Sequence, residues 1–205
     1  MLANPSSKIK VQSTPNGDNV LLLPKRAPDS INTVIVFDWK QEFPDPIHFL
    51  VPNTKLERFL AYDATQSGKG FSFGDGKTDR YYVDGWKSVE QKLNWTFRTI
   101  NSRPANYKII IKYLAPAQSS GGKYAIAIDQ LDNIDDVVAK RRYDFEKTVT
   151  TDPKGTKPIV EEIGTISLTH GSYSISIVPV VIDKTELMKL LEIQLIPIDK
   201  NAIKK

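Results

Sequence analysis

The sequence predicts an all-β protein, because its apolar residues recur at every second position in most segments. Turns rich in glycine, proline, asparagine and aspartate separate these segments at short intervals, which is typical of β-sandwiches and barrels. Helical periodicity is scarce, and the best candidates for helices are residues 134–139 and 184–191, each short enough to be a turn or an irregular strand instead. We therefore expect a β-sandwich of Greek-key or jelly-roll type, preceded by a short partial sandwich.

The N-terminal region contains too few strands to close a sandwich. Alternating apolar residues around Ile9 and Val11 are followed by the turn residues 16–18 and a second strand over residues 20–23, which predicts a hairpin. A third strand is expected over residues 33–37. The prolines that follow, up to Pro46, cannot serve a central strand. The boundary is placed near residue 50, giving remnant strands over 1–50 and a jelly roll over 51–205.

The strands predicted for residues 51–205 are better defined than those of the N-terminal region. In residues 93–99, Leu93, Trp95, Phe97 and Thr99 share one face, which assigns Trp95 to the core. The further strands are expected over residues 107–113, 124–128, 162–168, 173–178 and 193–198. Trp39, which closes the third N-terminal strand, is expected at an interface between the two regions.

Composition and charge exclude several classes of function. The 205 residues include 28 basic and 24 acidic ones, a net charge of +4, and these alternate along the chain instead of forming the basic stripe of a nucleic-acid-binding protein. The absence of cysteine excludes disulfides and thiolate metal sites. No apolar run is long enough to cross a membrane. The N-terminus lacks the features of a signal peptide, so the chain is expected to be mature, cytoplasmic or part of a longer protein.

No catalytic constellation is predicted. Glycoside hydrolysis needs two carboxylates at a set separation, but no spacing selects a pair among the 24 acidic residues. His48 lies in a linker-like segment and His170 in a turn, and no Gly-x-Ser-x-Gly segment presents a serine. Both histidines are therefore interpreted as structural.

Calcium is the metal that the acidic loops suit best, because it prefers oxygen ligands. The richest clusters are residues 75–79 and 129–136, and neither has the spacing of an EF-hand loop. A structural calcium ion and an ordinary charged loop both remain open as interpretations.

A group of aromatic and acidic side chains is the candidate ligand site. Sugars pack their apolar C–H faces on tyrosine and tryptophan rings, while neighbouring polar groups bond the hydroxyls. This predicts a sugar-binding platform at Tyr81, Tyr82, Asp84 and Trp86. The alternative is that Tyr82 and Trp86 only pin the loop onto the sandwich.

Several segments resemble a known family. Trp86 with residues 93–97, the strand 105–113 and the segment 121–128 resemble strands of galactose-binding-like jelly rolls, a fold that includes many carbohydrate-binding modules. Together with residues 164–171 and 187–197, they resemble the C-terminal module of bacterial α-L-fucosidases. The first forty residues, notably 16–24 and 33–36, are similar to the closing strands of the sandwich that follows the catalytic barrel in those enzymes.

The resemblance implies a non-catalytic accessory region that stabilises the enzyme, since the nucleophile and acid/base of that family lie on an upstream barrel to which nothing here corresponds. It implies the barrel as a partner in the same polypeptide, a fucose- or galactose-containing glycan as a ligand, and a periplasmic or secreted location. A purely structural docking module is the alternative, with unpaired strand edges through which the isolated fragment would self-associate. Neither nucleic acid nor membrane is an expected partner.

Overall fold

The computed structural model describes residues 9–13, 19–26, 49–99, 101, 103–131 and 139–198. Its contacts divide the chain into two compact units, Met1–Pro46 and Ile47–Lys205. Within the described part of the first unit, β1 (Lys10–Ser13) pairs with β2 (Asn19–Leu22) in an antiparallel hairpin. The predicted N-terminal hairpin is therefore confirmed, while the turn at 16–18, the strand over 33–37 and Trp39 lie outside the described residues.

The second unit consists of strands in two antiparallel-dominated sheets. The first sheet has the order β11-β10-β13-β8-β3, with β5 also pairing with β8, and the second has the order β12-β9-β14-β7-β6, with β4 also pairing with β14. The strands are β3 (Phe49–Val51), β4 (Glu57–Leu60), β5 (Thr65–Ser67), β6 (Ser72–Phe73), β7 (Val83–Asp84), β8 (Lys92–Thr99), β9 (Ala105–Leu114), β10 (Gly122–Leu131), β11 (Ala139–Thr148), β12 (Ile159–Leu168), β13 (Gly171–Ile182) and β14 (Lys189–Pro197).

The two sheets enclose one hydrophobic core. In β8 every second side chain from Leu93 to Thr99 is buried, and β9 buries its odd-numbered residues in the same way. Rings from opposite sheets touch: the centroid of Phe59 lies 5.4 Å from that of Phe97. Alternation of period two thus produces a sandwich, and the prediction of an all-β sandwich is confirmed.

One side of the sandwich is joined by contacts between the edge strands β11 and β12. Tyr143 Oη donates to the Ser167 carbonyl at 3.0 Å and accepts from the Ser167 amide at 2.9 Å, as a backbone group of a further strand would. Gly164 leaves room for the Phe145 ring, since a Cβ there would lie 2.5 Å from that ring. These contacts occupy backbone groups at an edge that would otherwise be open to another chain.

Residues 184–191, a candidate for a short helix, a turn or an irregular strand, form a loop that leads into β14 at Lys189. No helix forms there, because Leu187, Met188 and Leu190 are all buried in the core instead of following one helical face. The charged segment from Ala139 to Thr148 is strand β11, which the alternation of Tyr143 and Phe145 with charged residues could have indicated. Of the helix expected over 134–139, residues 134–138 lie outside the described part, and Ala139 begins β11.

Helical structure in the described residues is limited to one 3-10 turn, Ala61–Asp63. Across those same residues, no helix has the length and apolar character needed to span a membrane.

Candidate ligand-binding face

A hairpin loop between β6 and β7 carries the tyrosines of the predicted platform. The Gly74 amide donates to the Tyr82 carbonyl at 3.0 Å, and the Gly76 amide donates to the Arg80 carbonyl at 3.1 Å. Gly74 is required by this close approach, because a Cβ there would lie 1.9 Å from the Arg80 carbonyl oxygen. Asp79 turns the chain with a positive φ of 57°, a conformation that aspartate tolerates better than most residues. The loop is thus held by its own backbone bonds.

The strands of the second sheet place charged side chains beside this loop. Glu192 of β14 lies opposite Lys112 of β9 on one side and Leu60 of β4 on the other, and Arg58 lies opposite Gln194. Their inward neighbours, such as Phe59, Ile111 and Ile193, fill the core. Because successive side chains of a strand point to opposite faces, the charged set lies on the outer face of the sheet.

Arg58, Asp79, Tyr81, Lys112 and Glu192 form what we call the charge-paired cluster. Arg58 Nε donates to Glu192 Oε2 at 2.6 Å, and Lys112 Nζ donates to Asp79 Oδ1 at 2.8 Å. The Tyr81 hydroxyl accepts from Arg58 Nη2 and from Lys112 Nζ, each at 3.3 Å, and so links the two ion pairs. The cluster is a continuous polar surface built on three strands and one loop.

Burial differs within the charge-paired cluster. The Glu192 side chain is only 2% exposed, and Gln194 Nε2 donates to its other oxygen at 2.7 Å. The side chains of Arg58, Asp79 and Lys112 are 47%, 38% and 21% exposed. Solvent and ligands can therefore reach the two cations and Asp79, while Glu192 fixes Arg58 from beneath.

The cations of this cluster stay charged at neutral pH. The hydrogen bond to Glu192 raises the pKa of Arg58 above its ordinary value. Burial by itself would lower the pKa of Lys112, but its hydrogen bonds to Asp79 and Tyr81 outweigh burial, so the pKa is raised. Opposite charges and hydrogen bonds to the charged form act in the same direction here.

Tyr82, Asp84, Glu186 and Lys189 form a second group next to the cluster. Lys189 Nζ lies 3.0 Å from Asp84 Oδ2 and 3.8 Å from Glu186 Oε1, and 5.0 Å from the centroid of the Tyr82 ring. The hydroxyl of Ser72 donates to the other oxygen of Asp84. Burial opposes the charge of Lys189, yet Asp84 and Glu186 raise its pKa overall.

Trp86 does not belong to this surface, which corrects its assignment to the sugar-binding platform. Its side chain is fully buried, with its Nε1 donating to the Val83 carbonyl at 3.3 Å and its ring edge-to-face with Phe71 at 5.0 Å. A buried ring cannot stack on a sugar. The alternative interpretation, that Trp86 pins the loop onto the sandwich, matches its position.

Sequence reasoning identified Tyr81, Tyr82 and Asp84 but missed the strand residues beside them. Lys112 and Arg58 lie at outward positions of strands whose alternate side chains face the core. A cation at such a position is a sequence signal for a residue on the sheet's outer face. Glu192 gave no comparable signal, since it lies in a run of apolar residues and its orientation follows from a bulge between Leu190 and Glu192.

Asp75 and Asp79, which were considered for calcium binding, form ion pairs within the protein. Asp75 pairs with Arg80 at 3.0 Å, and Asp79 pairs with Lys112. Among the described residues, no three histidine or acidic side chains are grouped so that they could hold a metal ion; residues 132–136 of the second acidic loop lie outside that part. His170 Nε2 lies 3.4 Å from Arg98 Nη2, and His48 is not among the described residues.

Comparison with known proteins gives fold likenesses without sequence relatives. No protein-family model matches the chain, and no curated protein matches it. The mosquito-larvicidal Cry4Aa toxin of Bacillus thuringiensis has a TM-score of 0.55 at 13% identity, covering 74% of this chain and 25% of the toxin. The isomalto-dextranase of Arthrobacter globiformis T6, complexed with panose, has a TM-score of 0.52 at 16% identity, covering 69% of this chain and 23% of the enzyme.

These likenesses show the fold alone, and the chain matches about a quarter of the length of each of these two proteins. A family 35 carbohydrate-binding module from Clostridium thermocellum aligns over 68% of this chain and 96% of its own length at 13% identity, with a TM-score of 0.49 that is too low to support an argument. The β-sandwich expected from the sequence is confirmed. The origin from an α-L-fucosidase stays a prediction.

Proposed function

We propose that the sandwich of residues 47–205 is a non-catalytic, glycan-binding accessory module of a carbohydrate-active enzyme. The observation that carries this proposal is the charge-paired cluster, in which the Tyr81 hydroxyl joins two ion pairs on a half-exposed surface. A fold shared with part of an isomalto-dextranase is compatible with it, although fold alone does not settle function.

The cluster has the chemistry that sugar hydroxyls require. Charged donors and acceptors form stronger hydrogen bonds than neutral ones, and ligand sites use a few polar groups held in fixed positions. Lys112 and Glu192 are on neighbouring strands of one sheet and are fixed by its hydrogen bonds. Tyr82 adds ring surface beside them, with Lys189 already near its centroid.

The same geometry argues against hydrolysis at this surface. A glycosidase needs two carboxylates with access to the glycosidic bond. Glu192 is buried, and both of its oxygens are bound, one by Arg58 and one by Gln194. Asp79 is held by Lys112. The cluster therefore lacks a pair of accessible carboxylates, because Glu192 is covered and bound at both oxygens.

The identity of the parent enzyme and of the glycan is proposed from the resemblance of the sequence to α-L-fucosidases. The parent protein would be an α-L-fucosidase-like glycoside hydrolase that is periplasmic or secreted, with the catalytic barrel upstream in the same polypeptide. The ligand would be a fucose- or galactose-containing glycan, held near the barrel's active site. The rival proposal is a structural module that docks to the barrel and binds no sugar.

Calorimetric titration with fucose, galactose and their oligosaccharides, with and without calcium, tests the proposal. We expect saturable binding that Lys112→Met weakens roughly tenfold or more, about the effect of one lost charged hydrogen bond. Lys108→Met is the matched control, because Lys108 lies on the same face of β9 but pairs with Glu162 at 2.8 Å outside the cluster. Absence of binding to every glycan would support the docking module instead.

A further inference from the structure

We propose that the charge-paired cluster selects neutral sugars and excludes acidic ones, with Asp79 as the residue that sets this selectivity. This inference rests on the proposed glycan-binding function and adds the charge class of the ligand. It follows from the way in which every cation of this surface is already matched to a carboxylate.

The charges of the cluster cancel. Arg58 is bound by Glu192, and Lys112 is bound by Asp79, so two positive charges face two negative ones. In the neighbouring group, Lys189 lies between Asp84 and Glu186, which leaves one negative charge in excess. The surface as a whole offers an acidic ligand no unmatched cation.

An acidic sugar would have to compete with these internal carboxylates. To bind Lys112, its carboxylate must displace Asp79, whose side chain is 38% exposed and would then lie unpaired beside a second negative charge. Like charges brought together in a partly desolvated site repel each other strongly. A neutral sugar meets no such repulsion and can bond to the remaining donor and acceptor positions of the same groups.

Asp79 is the carboxylate that neutralises Lys112, and it can be substituted without disturbing the core. It lies on the loop between β6 and β7, whereas Glu192 is buried under Arg58. Its positive φ of 57° is a conformation that asparagine also tolerates. Asp79→Asn therefore keeps the side-chain shape and the turn while leaving Lys112 as an unmatched cation.

The test compares methyl galactoside with methyl galacturonide by calorimetry on the full chain. For the wild type we expect at least roughly tenfold weaker binding of the acidic sugar. Asp79→Asn should shift the ratio toward the acidic sugar by roughly tenfold or more. Glu162→Gln is the control, because it changes the net charge equally but lies in the exposed pair with Lys108, and it should leave the ratio unchanged.

A second variant keeps the test decisive if Asp79→Asn does not fold, as judged by circular dichroism. Lys112→Gln leaves Asp79 unmatched and should discriminate more strongly against the acidic sugar relative to the neutral one. Acidic sugar bound as tightly as neutral sugar by the wild type would overturn this inference and leave the proposed function intact. Absence of binding across neutral and acidic glycans alike would overturn both.

Discussion

Two neighbouring tyrosines in the core show how single hydroxyl groups differ in their surroundings. Tyr113 and Tyr124 pack edge-to-face with centroids 6.4 Å apart, and both are fully buried. The Tyr113 hydroxyl donates to Glu161 at 2.9 Å and accepts from the Thr150 amide at 3.0 Å. The Tyr124 hydroxyl has no described partner within hydrogen-bonding distance, and its pKa is raised by burial, with a contribution from the same Glu161 carboxylate. A buried polar group without a partner is a cost to stability.

We expect the same substitution to destabilise the protein at Tyr113 but not at Tyr124. Tyr113→Phe should lower the free energy of unfolding by about 1–3 kcal/mol, because it leaves the Thr150 amide and Glu161 without their partner. Tyr124→Phe should leave stability unchanged or raise it by about 1 kcal/mol, since it removes an unsatisfied hydroxyl. Urea unfolding followed by tryptophan fluorescence measures both. Equal destabilisation by the two variants would contradict the assigned hydrogen bonds.

At the scale of structural elements, Gln91 organises the segment that leads from β7 to β8. Its Oε1 accepts from the amides of Lys87 and Ser88 at 2.6 and 2.8 Å, and its Nε2 donates to the Gly85 carbonyl at 2.9 Å. Gln91 is 1% exposed. One amide side chain thus satisfies three backbone groups around Trp86.

Gln91→Met should therefore destabilise the sandwich by about 2–4 kcal/mol, because the new side chain fits in size but leaves three partly buried backbone groups unpaired. Gln66→Met, on the exposed strand β5, is the matched control and should change stability by no more than about 0.5 kcal/mol. Thermal unfolding followed by circular dichroism provides the comparison. A shift of similar size in the two variants would show that the backbone bonds at Gln91 matter little.

At the scale of the whole molecule, two tyrosines and two lysines among the described residues make stability depend on alkaline pH. Burial raises the pKa of Tyr113 and of Tyr124 above their ordinary value of 10.0, and ion pairs raise the pKa of Lys112 and Lys189 above 10.5. Each group keeps its proton to a higher pH in the folded chain than in the unfolded chain. The stabilisation is complete below the unfolded pKa and is lost as pH rises toward the folded one.

We expect the free energy of unfolding to be level up to about pH 9 and to fall above about pH 10. Each tyrosine contributes a slope of about 1.4 kcal/mol per pH unit where only the unfolded chain has lost the proton. Urea titrations at several pH values measure this slope, and the Tyr113→Phe/Tyr124→Phe double variant should reduce it. A slope that is unchanged in the double variant would assign the alkaline transition to other groups.

Most of the sandwich core could be predicted from the sequence. Strand β8 was expected because Leu93, Trp95 and Phe97 alternate with polar residues, and β9, β10, β12 and β13 follow the same rule. Strand β11 was missed because its alternation is masked by charged residues on an exposed edge. The short strands β3, β5 and β6 give no period over two or three residues, so only their pairing with longer strands defines them.

The candidate site was only partly predictable. Tyr81, Tyr82 and Asp84 are neighbours in sequence, so a local pattern could select them. Their partners Lys112 and Glu192 come from distant strands, and Arg58 lies on a third. Trp86 was assigned to the surface because composition does not tell which side of a loop a ring faces.

The fold class, the faces of the long strands and the absence of cysteine chemistry follow from local period and composition, and so can be read from the sequence. The burial of Trp86 and the ion pair of Asp79 with Lys112 are known only from the folded chain, because strand pairing, bulges and the path of the loop bring together groups that are far apart in sequence. An ion pair forms only when its two charged groups lie within a few ångströms of each other. The spacing of residues along the sequence does not specify that distance.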